Sequence, residues 1–389
     1  MLSFDNTEIA FSGKSTTDLN RSYWLFKLVS NSSFVNIGKS LTTFAIKARL
    51  PIKSIIKATI FKQFCGGETI EECDKTVADL GKYSIGTILD YSVEGKESEK
   101  DFDACAIETI KTIKKASNNP FIPFCVFKVT GLARFELLEK VSSGDILSPL
   151  EQAEFEKIQN RVTSICKAAH GEGIPVFIDA EESWIQQAID DITNQMMALY
   201  NKEKPIVYNT FQLYRKHRLN YLKLSFEKAQ KENYYLGAKL VRGAYMEKER
   251  KRAAEKNYSS PIQDNKENTD RDYDNALLFC VEHIAKIAVC AGSHNEKSSM
   301  YLVRLMKEKN IALNNKHIYF SQLLGMSDHI SFNLANAGYN VAKYVPYGPV
   351  KEVLPYLIRR AQENTSVKGQ TGRELGLIMK EKERRRNSA

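Results

Sequence analysis

Short runs rich in β-branched and aromatic residues alternate along this chain with longer stretches whose apolar positions recur at helical spacing. The short runs predict strands over Tyr83–Tyr91, Phe124–Thr130, Pro175–Ala180, Ile206–Phe211, Ala238–Gly243, Ile287–Ser293, Ile318–Leu323 and Val341–Pro346. Several are apolar at nearly every position, as parallel strands buried on both faces must be. A connection long enough for a crossover helix follows each one. The predicted fold is therefore α/β, a (β/α)8 barrel.

Before the first strand the period changes. From Ala10 to Leu80 the pattern is helical: Tyr23, Leu25, Phe26, Leu28 and Val29, then Phe44–Leu50, then Ile52–Phe64. This predicts an N-terminal helical arm over residues 1–80, a barrel over 81–370 and a charged C-terminal tail over 371–389 that is expected to fray. Gly66-Gly67 is expected to end the third helix of the arm, and Thr69 with Glu72 to form a capping box for the next.

Composition narrows the class. Among 389 residues, 43% are hydrophobic and 26% charged, the balance of an ordinary soluble globular protein. No apolar run approaches the roughly 18 residues that would span a bilayer. The first fifteen residues lack an apolar core and carry Asp5 and Glu8, so neither a secretory signal nor a transit peptide is expected. Seven scattered cysteines, none paired at metal-ligand or redox spacing, suggest buried thiols in a reducing, cytoplasmic compartment, with no metal site. The net charge of +9 sits largely in Lys248–Lys256 and Lys380–Arg386, where glutamates interrupt the basic residues. Solvated helix faces explain that pattern, and nucleic acid is not expected as a partner.

In a barrel of this kind chemistry sits where strands end. Most predicted strand ends carry polar groups: Lys128; Asp179 and Glu181; Asn209 and Gln212; Arg242 and Tyr245; Ser293, His294 and Asn295; Gln322; Tyr344. Burying that many polar groups for packing alone would be costly, so they mark a functional rim. After the last strand, Tyr356, Arg359, Arg360 and Glu363 stand at i, i+3, i+4 and i+7, one face of a helix with Pro355 in its first turn. Adjacent arginines suit a bidentate clamp on a carboxylate, against the plainer reading of a solvent face with intrahelical ion pairs. The run Lys239-Leu240-Val241-Arg242-Gly243-Ala244-Tyr245 ends a strand in bare backbone. Lys239 there can point into the barrel mouth and stabilise an electron-rich ring, or it can be an interior lysine paired with a carboxylate.

Lys239–Tyr245, continuing to Glu249, Arg252 and Ala253, resembles the signature of the proline dehydrogenase family, as does Tyr356–Thr365. Lys128–Leu132, Asp179–Glu182, Tyr208–Gln212, Lys266 through Thr269-Asp270 to Tyr273, His294-Asn295 and Tyr344–Gly348 match in family order. The Lys-Leu-Val-Arg-Gly-Ala-Tyr form is similar to the branch that includes the mitochondrial enzymes; bifunctional relatives carry arginine at the position of Lys239 and tryptophan at that of Met246. The resemblance implies a distorted (β/α)8 TIM-type barrel with FAD across its C-terminal mouth. In agreement, no G-x-G-x-x-G follows a strand, and Gly13-Lys14-Ser15 is no P-loop because Glu8 stands where its first glycine should be.

By that resemblance Arg359 and Arg360 bind the carboxylate of L-proline. Lys128 and Glu363 shape the site, Tyr344 and Tyr356 pack on the ring, and Asp179 is the active-site acid, with Lys239 a second catalytic group. FAD falls to Glu181, Gln212, Lys239, Val241, Gly243, Ala244, Thr269, Ser293 and His294. The implied partners are a quinone acceptor, a peripheral contact with the inner face of the respiratory membrane, and a separate pyrroline-carboxylate dehydrogenase as a candidate. The length leaves no room for the aldehyde dehydrogenase domain of bifunctional relatives, so a monofunctional enzyme is expected. The competing reading is a Schiff-base lyase on the same barrel, using Lys128 or Lys239 as nucleophile.

Overall fold

The computed structural model describes residues 2–29, 53–93, 97–366 and 370–388. Its eight strands are β1 Ile85–Tyr91, β2 Phe124–Phe127, β3 Val176–Ile178, β4 Val207–Gln212, β5 Leu236–Val241, β6 Ile287–Gly292, β7 Ile318–Leu323 and β8 Val341–Tyr347. They close into a parallel barrel in chain order. Each lies where the apolar runs predicted it, but β2, β3 and β5 stop two or three residues short of the predicted ends. Those last residues have left the ladder: Val129–Gly131 forms a 3-10 turn in which the Gly131 N–H donates to the Lys128 carbonyl at 3.1 Å. Lys128, Asp179 and Arg242 stand just past their strands, with the Asp179 N–H still donating to the Phe127 carbonyl at 3.0 Å and the Arg242 carbonyl accepting from the Tyr214 N–H at 2.8 Å.

By contact density the chain forms two compact units, Met1–Gly95 with Gln322–Ala389, and Lys96–Ser321. Within Lys96–Ser321 the barrel interior is plugged by aromatic rings: Phe124 stacks on Phe177 at 4.5 Å and meets Tyr208 and Tyr319 edge-on. Helix ends here follow local chemistry. Ser148 and Glu151 make a capping box for Pro149–Glu172, with Pro149 where its missing N–H costs nothing and Gly173 left-handed at the far end. Asn295 caps Glu296–Glu308, accepting from the Ser298 N–H at 3.1 Å, so that helix starts directly beyond the β6 rim.

In the other unit, the predicted Phe44–Leu50 helix lies outside the described residues. The third helix of the arm runs Lys53–Ile56, a π turn Lys57–Phe61 and Lys62–Phe64. Gly66 and Gly67 then run beside β8, the Gly66 N–H donating to the Pro346 carbonyl at 2.9 Å. A β-carbon on Gly66 would lie 2.5 Å from Val345, which makes close approach the reason for glycine there. The capping box forms by half: Thr69 Oγ1 accepts from the Glu72 N–H at 3.3 Å, while the Glu72 carboxylate accepts from Glu68 N–H instead of closing on Thr69. The C-terminal helix does not fray. Gln370–Asn387 buries Leu377 and Ile378 against Phe11, Leu19 and Phe26, and Glu381 beneath Arg384 and Arg385. Among the described residues no helix is long and apolar enough to cross a membrane.

Candidate active site

Within Lys96–Ser321, β5 pairs with β4 and β6 so that Lys239 lies opposite Thr210 and Cys290. Its stem passes through the interior and its ammonium donates to Asp179, just beyond β3, while standing 5.5 Å from the centre of the Phe177 ring. Both side chains are largely buried, at 6% and 15% exposure. The structure pairs this interior lysine with a carboxylate. An ammonium engaged by a carboxylate offers no lone pair to a carbonyl, which argues against Lys239 as a Schiff-base nucleophile.

Around this pair lie the residues expected to carry a cofactor. Gln212 ends β4 with 2% exposure, and its side-chain oxygen is buried without a hydrogen-bond donor. A buried acceptor left unmet costs free energy unless a ligand supplies the donor. Val241 is half-buried, and Gly243 and Ala244 are open to solvent at the end of β5. Gly243 has φ +134°, and a β-carbon on it would fall 2.4 Å from the Tyr214 ring. Its bare face thus meets a protein ring as well as the open rim. Thr269, nearly buried in the first turn of Lys266–Glu282, donates to the Asn265 carbonyl at 3.4 Å, and His294 is half-buried beyond β6.

Glu181 behaves differently from Asp179. Its carboxylate accepts from the Thr130 N–H at 3.0 Å and from the Thr130 hydroxyl. Burial pushes it up to about 7, against the pull of Lys128 and the Thr130 bonds and with a further push from Glu182. Lys128 is half-buried beyond β2, within electrostatic reach of Glu181.

Two groups are more central than the sequence signalled. The Arg242 guanidinium donates to Asp270 at 2.7 Å, Ser293 at 2.8 Å and Ser298 at 2.9 Å, and lies 4.3 Å over the Tyr273 ring. It ties the ends of β5 and β6 to the helix Lys266–Glu282, so the Ser293 hydroxyl is already an acceptor within the protein. Its place before Gly243 in the β5 motif was the available signal. Glu249 is fully buried and accepts from both the N–H and the hydroxyl of Ser183 at 2.6 Å. Asn209, by contrast, is a packing residue: its amide donates to Asp190, which is bridged to Arg218.

In the unit of Met1–Gly95 and Gln322–Ala389, the helix Leu354–Ser366 holds the predicted face, with Pro355 in its first turn. Tyr356 and Arg360 are buried, Arg359 is half-buried, and the Arg360 guanidinium lies 5.2 Å over the Tyr356 ring. A buried guanidinium on an aromatic face is not a solvated surface charge. The side chain of Glu363 lies outside the described residues. Tyr344 sits in β8, buried to 7% exposure.

Comparison with known proteins gives this arrangement a lineage. Residues 73–373 match the family model described as proline dehydrogenase. A relative named proline dehydrogenase 1, mitochondrial, from Dictyostelium discoideum is 36% identical, over 98% of this chain and 74% of its own length. A hydroxyproline dehydrogenase from Xenopus laevis is 32% identical, over 99% of this chain and 90% of its own. A crystal structure of proline utilization A from Bdellovibrio bacteriovorus superposes with a TM-score of 0.73 over 92% of this chain, at 20% identity. This chain spans only 38% of that longer one, and at such identity the likeness concerns the fold. With more than two thirds of its residues matched and all the rim motifs inside the match, the chain belongs to the proline dehydrogenase family.

Proposed function

We propose that this chain oxidises L-proline to 1-pyrroline-5-carboxylate with FAD as its cofactor, and that the electrons pass on to a quinone at a membrane surface. The observation that carries the reading is the buried Arg360 on the Tyr356 ring, inside the residues that match the family. Proline is a small zwitterion, so losing water around its carboxylate is costly unless fixed cations replace it. Arg359 and Arg360 take that role, Tyr344 and Tyr356 pack on the ring, and Lys128 and Glu363 shape the site.

The chemistry removes a proton from the ring nitrogen and a hydride from the adjacent carbon, leaving a carbon–nitrogen double bond. Cations around the substrate ease loss of the nitrogen's proton. A bound FAD would supply the hydride acceptor. The unmet acceptor of Gln212 and the open backbone of Gly243-Ala244 fit such a ligand. Val241, Thr269, Ser293, His294 and Glu181 complete the residues assigned to it. Lys239, held by Asp179, supplies a fixed positive charge toward the ring system, and Asp179 keeps that charge in place.

The absorption spectrum tests this directly. Purified protein is expected to show a flavin band that bleaches when L-proline is added without air. A colourless protein, trapped by borohydride with a carbonyl substrate, would return the reading to a lyase. Bleaching by hydroxyproline alone would move the substrate to the one named for the Xenopus relative.

A further inference from the structure

Lys343 lies in β8, fully buried, one residue before Tyr344. Its ammonium donates to the Met326 carbonyl at 2.6 Å and to Asp328 at 2.7 Å. Asp328 is shared with Lys14 of the arm at 3.0 Å. Burial alone would raise the Asp328 carboxyl, but Lys14 and Lys343 outweigh it and hold it well below the usual carboxylate range. Lys14 also donates to Ser22, Ser22 to Gln63, and Gln63 to the Gly325 carbonyl at 2.9 Å. Gly325 is left-handed at φ +73°, and a β-carbon there would lie 2.1 Å from the Gln63 carbonyl oxygen. From the C-terminal helix, Glu374, 4% exposed, accepts the Ser327 N–H. Three separate parts of the chain therefore bolt down residues 323–328.

That segment has two further attachments. The Leu324 N–H donates to the Tyr344 carbonyl at 2.8 Å. Met326 packs in one apolar cluster with Phe61, Phe64, Tyr356 and Leu357. What the buried charges hold in place thus bonds directly to Tyr344 and shares an apolar cluster with Tyr356, the two aromatic residues assigned to the proline ring. Fully burying an ammonium is expensive, and a well-packed apolar residue would serve stability as well.

We propose that Lys343 and Glu374 are positioning residues for substrate recognition, acting through the segment 323–328 to set Tyr344 and Tyr356. This rests on the proline-oxidising reading above. It predicts a defect confined to the substrate half of the reaction.

The test uses the full-length, flavin-loaded enzyme. Lys343→Met is expected to raise KM for proline roughly tenfold while kcat stays within about twofold, the signature of lost binding rather than lost chemistry. The flavin-to-protein ratio should be unchanged. Glu374→Ala should act in the same direction, and Glu374→Gln, which keeps an acceptor for the Ser327 N–H, should restore KM. Should Lys343→Met fail to fold, the two Glu374 variants carry the test. Unchanged KM in soluble Glu374→Ala, or a fall in kcat and flavin content with KM constant, would overturn the proposal. Arg360→Met serves as the control. If it raises KM and wild type bleaches with proline while the Glu374→Ala KM stays normal, only this inference falls. A wild type that proline does not bleach defeats the functional reading itself, and this inference with it.

Discussion

Glu181 and Asp179, two residues apart beyond β3, show how strand ends divide labour. Asp179 faces an ammonium, whereas the Glu181 side chain is enclosed and accepts from the backbone and hydroxyl of Thr130. Because the folded chain raises Glu181 to about 7 from an ordinary 4.5, its proton stabilises the fold. That contribution is complete below the ordinary value and is lost as pH rises through the raised one. Up to about 3 kcal/mol of stability should disappear across this window. Denaturant melts at stepped pH should show the decline in wild type and a flatter profile in Glu181→Gln. Equal slopes in the two proteins would remove Glu181 from the account. At this scale the sequence reveals residue type and place on the rim, but not pairing. Lys239 and Asp179 come from strands separated by β4, and Arg242 finds Asp270, Ser293 and Ser298 much later in the chain.

Elements are more legible in the sequence, because their signals are local. The face of Tyr356, Arg359, Arg360 and Glu363 needed only helical spacing and a proline, and the helix Leu354–Ser366 contains it. Strands end before the apolar runs do at β2, β3 and β5, since hydropathy reports burial and not hydrogen bonding. The β5 end adds a conformational constraint. With φ at +134° and Tyr214 against its bare side, Gly243 should not accept a side chain. Gly243→Ala is expected to cost more than about 1 kcal/mol of stability, and to lower the flavin-to-protein ratio because the β5 rim must shift. A variant with wild-type melting temperature and flavin content would show that the strain is absorbed elsewhere.

For the whole molecule, the terminal helices are structural members. Leu377 is 3% exposed in a cluster with Ala10, Phe11, Leu19 and Phe26, so the ends of the chain share one small core. Truncating it to Leu377→Ala should cost roughly 2–4 kcal/mol, read as a lower denaturation midpoint with an unchanged slope. A charged tail is expected to fray because all seven residues from Lys380 to Arg386 are basic or acidic. The apolar pair Leu377-Ile378 and the buried Glu381 decide otherwise, and nothing local announces what they pack against. Eight buried strands, the arginine-bearing helix face and the polar strand ends were determined by the sequence itself, since periodicity and residue type are properties of neighbouring positions. The pairing of Lys239 with Asp179, the Arg242 hub and the burial of Lys343 under both termini were decided only by tertiary structure. Each depends on bringing together residues from distant parts of the chain, and on register, which no single segment encodes.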